Sequence, residues 1–64
     1  MAWYLHVVEL GDGNWACRHG ADVFDRHAEL DEAVDHIRQI ASTMPPAEIF
    51  LHHADGTTER ISEA

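Results

Sequence analysis

The sequence predicts an α+β fold: a small antiparallel sheet packed against one α-helix, in the order β-β-(β)-α-β-β. Three observations predict it. Short segments rich in aromatic and β-branched residues are separated by glycine turns. A single stretch carries apolar residues three and four positions apart. A Pro-Pro pair closes that stretch.

Trp3 to Leu10 reads as the first strand and ends at Gly11-Asp12-Gly13, a strong turn signal. Asn14 to His19 reads as the second, and the short turn between them implies an antiparallel hairpin. Gly20 breaks that strand, and Asp22 to Asp25 fits a short third one. In the helix, Leu30, Ala33, Val34, Ile37, Ile40, Ala41 and Met44 form one apolar stripe. Asp31, Asp35, Gln39 and Ser42 lie opposite, and Asp31 and Glu32 near the start favour the helix dipole. Pro45-Pro46 stop it, since proline lacks the amide proton and restricts the residue before it. Glu48 to His53 reads as a fourth strand, Asp55-Gly56 as a hairpin turn, and Thr57 to Ile61 as a fifth strand.

At 64 residues, positions 1–64 make a single domain whose stability is thin. Small domains commonly gain support from disulfides, a metal or a partner chain. Cys17 is the only cysteine, so an internal disulfide is excluded. A lone thiol and the absence of a leader-like or membrane-spanning run lead us to expect a cytoplasmic protein. Twelve acidic residues face four bases, all arginine (Arg18, Arg26, Arg38 and Arg60), for a net charge of −8. That charge repels phosphate backbones and anionic lipid, so neither nucleic acid nor a membrane is an expected partner.

The first strand gives the main functional clue. Trp3, Leu5 and Val7 point to one face and Tyr4, His6, Val8 and Leu10 to the other. Both sets are apolar. The fourth strand repeats this, with Ile49 and Leu51 opposed by Phe50. One helix covers one face only, so a second copy or another protein is expected on the other. The expected interaction surface is drawn from Trp3, Tyr4, His6, Val8, Trp15, Phe50 and His52.

Chemistry is harder to find. The six histidines show none of the usual zinc spacings. His52 and His53 are adjacent in a strand and point to opposite faces; His6 and His52 are a pair that neighbouring strands can bring together. His36 reads as a surface partner of Glu32, and His19 and His27 flank turns. Cys17 alternates with Trp15 on one face, which reads as core packing. No phosphate-binding glycine motif is present, and no pair of carboxylates stands out. The expectation is a non-enzymatic protein with no catalytic residues, no cofactor and no metal ligands. Two alternatives remain open: a histidine-based metal-binding domain on His6 or His52, and an acidic inhibitor of a basic partner.

Tyr4-Leu5-His6-Val7-Val8, Gly13-Asn14-Trp15-Ala16-Cys17-Arg18, Glu32-Ala33-Val34 and Glu48-Ile49-Phe50-Leu51-His52 with Asp55-Gly56 occur in this order along the chain. Together they resemble a family of short bacterial proteins of unknown function, whose members read His-Val-Val, Gly-Trp-Ala-Val-Lys, Glu-Ala-Ile and Val-Val-His followed by Asp-Gly. The resemblance covers nearly the whole chain. It implies that His6, Trp15 and His52 occupy characteristic family positions, and it implies no activity. The chain departs from the pattern in being strongly acidic and free of lysine. A fainter, topological similarity links it to small antitoxins built of strands and one helix, and topology does not assign function.

Overall fold

The computed structural model describes residues 3–61. Five strands and one helix follow in the chain: β1 (Trp3–Glu9), β2 (Trp15–His19), β3 (Asp22–His27), α1 (Leu30–Ser42), β4 (Ala47–His52) and β5 (Thr58–Ile61). The sheet runs in the order β3-β2-β1-β4-β5.

The sheet is mixed, which corrects the expectation of an antiparallel one. β1 pairs antiparallel with β2, β2 with β3, and β4 with β5, but β1 and β4 are parallel, with His6 opposite Phe50 and Val8 opposite His52. The cause lies in α1. A helix that follows a strand carries the chain back across the sheet, so the next strand enters running the same way. β3, α1 and β4 form such a crossover, and β4 settles beside β1 at the centre.

The turns follow local chemistry. Gly13 and Gly56 adopt φ values of 89° and 94°, a region that disfavours side chains. Asp12 accepts the Asn14 backbone N–H at 3.0 Å, and Asp55 accepts that of Thr57 at 2.9 Å. Both act as side-chain mimics of a backbone turn. The helix ends at Ser42 with Thr43 as its cap, just ahead of the prolines.

The third strand is longer than the expected Asp22 to Asp25, and it carries a bulge. The two-residue turn Gly20-Ala21 pairs His19 with Asp22 and Arg18 with Val23. Unbroken alternation would then set Cys17 opposite Phe24. Instead the register shifts between Cys17 and Arg18, and Cys17 pairs with Asp25, Ala16 with Arg26 and Trp15 with His27. One inserted residue reverses the facing of everything beyond it. The bulge therefore turns Asp25 and His27 toward the helix and Arg26 away from it.

Leu5, Val7, Cys17, Ile49 and Leu51 from the sheet meet Ala33, Ile37 and Ala41 from α1 in one core. Trp15, Leu30, Ile40, Met44, Ala47 and Ile61 pack around it. Of the expected helix stripe, Leu30, Ala33, Ile37, Ile40, Ala41 and Met44 lie in or against this core, while Val34 stands outside it. A 13-residue helix is marginal alone in water, so it depends on this sheet face. No helix is long and apolar enough to cross a membrane.

Candidate functional site: the open sheet face and its histidine pair

The sheet face away from α1 presents Tyr4, His6 and Val8 from β1, Ala16 and Arg18 from β2, and Val23 and Arg26 from β3. From β4 and β5 it presents Glu48, Phe50, His52, Thr58 and Arg60. Tyr4 is 50% exposed and Val23 57%, while His6, Val8, Phe50 and His52 are half-buried by one another. Among the described residues nothing layers over this face.

Its centre is aromatic. The rings of Tyr4 and Phe50 lie 6.0 Å apart, and those of His6 and Phe50 stack at 5.9 Å. His6 Nδ1 and His52 Nε2 meet at 2.8 Å, so one nitrogen donates and the other accepts. The Thr58 hydroxyl lies 3.4 Å from the other nitrogen of His52. Burial, then the neighbouring His52, Arg18 and His19, hold the His6 imidazole below its ordinary value of 6.5. Proton uptake by His6 would place its cation near Arg18.

Charge is sorted between the faces. Three of the four arginines, Arg18, Arg26 and Arg60, lie on the open face, against one strand carboxylate, Glu48. Glu48 accepts from Arg60 at 2.9 Å. The solvent side of α1 exposes Asp31, Glu32 and Asp35, with Arg38, the fourth arginine, toward its later turns. The sequence does not show this sorting, because Arg26 and Arg60 acquire their facing only through the bulge and the β4–β5 register.

Five of the seven expected surface residues (Tyr4, His6, Val8, Phe50 and His52) share the open face. Trp3 and Trp15 do not. Both project to the helix side, where Trp15 packs against the core and meets the His53 ring edge-on at 6.3 Å. Trp3 is 44% exposed and lies 5.1 Å from the His19 ring. His53 takes the opposite face to His52, as expected from their adjacency. It bonds to Glu59 at 2.9 Å, which raises its affinity for a proton.

On the helix side, His36 pairs with Asp25 rather than with Glu32, its Nδ1 lying 2.5 Å from Oδ2. His27 Nε2 approaches Asp25 Oδ1 at 3.0 Å and His36 Nδ1 at 3.4 Å. The buried Cys17 thiol donates to the Ala33 carbonyl at 3.5 Å. Burial, then Asp25, push that thiol up to about 12, which leaves it a poor nucleophile. Sequence spacing conceals this grouping, since its members come from three elements.

The chain is thus a small mixed sheet with one face covered by a helix and one aromatic, basic face left open, and no pocket opens among the described residues. The chain belongs to the bacterial family described as "uncharacterized protein conserved in bacteria" (DUF2188), whose model matches residues 5–62. No curated protein and no solved structure matches it.

Proposed function

We propose that this chain is a non-enzymatic, self-associating module whose open sheet face receives the acidic helix side of a second copy. The observation that supports it is the sorting of charge. The open face combines an aromatic centre with three arginines and one carboxylate, in a chain of net charge −8. Two open faces brought together would oppose arginine to arginine. An open face against the Asp31, Glu32 and Asp35 side of α1 pairs opposite charges around an apolar contact. Such a contact is head-to-tail, which builds a dimer with one free face or a short chain of copies. A macromolecular surface suits this face better than a small ligand, because no pocket opens among the described residues. The reading places the protein in a reducing compartment, the cytoplasm, where a single free thiol is stable.

Light scattering coupled to size exclusion tests it with charge-reversed variants. The native chain is expected to associate at about 100 μM and to dissociate as salt rises toward about 0.5 M, where screening shortens to a few ångströms. Arg18→Glu with Arg60→Glu, and separately Asp31→Lys with Asp35→Lys, each abolish self-association. Mixing the two variants restores a heterodimer. A native chain that stays monomeric under all conditions contradicts the proposal. So does binding of a single-stranded oligonucleotide by the monomer through Tyr4 and Phe50, which would assign the face to nucleic acid instead.

A further inference from the structure

The geometry points to a second site, independent of the open face: a structural zinc(II) site formed by Cys17, Asp25, His27 and His36. The four residues each offer one ligand atom, and these atoms lie within 4.8 Å of one another. They come from β2, β3 and α1, at a half-buried position between the sheet and the helix.

The donor set fits the ion. Zinc takes thiolate, imidazole and carboxylate ligands in tetrahedral geometry. At its usual bond lengths, ligand nitrogens stand about 3.3 Å apart and a sulfur about 3.6 Å from each nitrogen. His27 Nε2 and His36 Nδ1 are 3.4 Å apart, and Asp25 Oδ1 lies 3.0 Å from His27 Nε2. The remaining ligand atoms lie within 4.8 Å of one another, a span that small side-chain rotations would close to ligand spacing. A soft sulfur with two imidazoles disfavours magnesium and calcium, which prefer oxygen. Four protein ligands close the shell, so the site is structural rather than catalytic.

Both imidazoles converge on the one Asp25 carboxylate, His27 Nε2 at Oδ1 and His36 Nδ1 at Oδ2. A zinc ion held among them would take an imidazole lone pair from each ring, and its charge would support a thiolate at Cys17. The β3 bulge carries the assembly, since without it Asp25 and His27 would face the opposite side of the sheet from Cys17. The ion would join the outer β2–β3 hairpin to the helix, a staple of the kind small domains use.

The test is titration of chelator-treated full chain with zinc and, separately, with cobalt(II). We expect one equivalent of zinc to bind more tightly than about 1 μM. We expect the melting temperature to rise by roughly 10 °C or more at a hundredfold excess over the dissociation constant. Cobalt should give the visible bands of a tetrahedral ion and a near-ultraviolet thiolate-to-metal band. His36→Ala, on the helix surface, should fold and lose both the thermal shift and the tetrahedral spectrum. Cys17→Ser should lose the thiolate band. His6→Ala with His52→Ala should bind zinc as the native chain does. Absence of binding overturns the site, as does binding that survives His36→Ala or vanishes with the His6 and His52 replacements. If Cys17→Ser does not fold, the thiolate band of the native chain and its loss in His36→Ala still decide the question.

Discussion

The two faces of the sheet are built from the same strands, yet they obey different rules. Under α1, Leu5, Val7, Ile49, Cys17, Ala33 and Ile37 are fully buried, and no buried polar side chain lies among the described residues. On the open face the same strands present half-covered aromatic rings, a hydrogen-bonded histidine pair, and arginines. The first arrangement is what stability requires of a small chain. The second adds little stability, because its groups keep much of their contact with water. Its aromatic and arginine residues are the ones the proposed association would use. The covered face accounts for the fold, and the open face for the proposed work.

This comparison can be broken by mutation. Ile37→Ala, on the covered face, is expected to cost about 3 kcal/mol through the lost burial and the cavity left behind. Phe50→Ala, on the open face, should cost about 1–2 kcal/mol in dilute protein while abolishing association. Urea unfolding of both at low concentration measures the contrast. Equal costs would mean that the open face is a second core rather than a contact surface.

Acid sharpens it next. The folded state holds His6 below its ordinary value of 6.5, so the unfolded chain binds that proton more readily. The stability owed to neutral His6 is present above pH 6.5 and is lost as pH falls from there through the folded value. His6→Gln should flatten the fall in stability over that window, as read by unfolding curves at several pH values. His53 has the opposite sign, because Glu59 raises its proton affinity in the fold. Its small contribution is present below pH 6.5 and is lost as pH rises through the raised value. His53→Ala should therefore weaken the fold slightly at low pH and leave it unchanged at high pH. The smallest effect belongs to Arg60→Ala, which removes an exposed ion pair with Glu48 and should change monomer stability by about 0.5 kcal/mol or less.

The parts of the molecule legible in the sequence are those whose physics is local. The stripe from Leu30 to Met44 declares its buried side through spacing alone, and Gly13 and Gly56 mark turns through backbone freedom. The two apolar faces of β1 follow from alternation. The parallel pairing of β1 with β4 was not legible, because it depends on how α1 returns the chain across the sheet. Neither was the grouping of Cys17, Asp25, His27 and His36. Their facing rests on one bulge between Cys17 and Arg18, which no residue pattern in the strand announces. The same bulge sends Arg26 to the open face, so the charge sorting was hidden with it. Trp15 shows the converse: its size and family position marked it as a surface residue, while the alternation it shares with Cys17 set it against the core.

The most direct test of the central claim is a dilution series followed by heteronuclear NMR, from about 500 μM to about 10 μM. The account predicts concentration-dependent shifts at Tyr4, His6, Val8, Phe50 and His52 together with Asp31 to Asp35, and none at the core amides of Leu5, Val7 and Ile49. Spectra that do not change across the series, or shifts confined to the β3 and β5 edges, would contradict it.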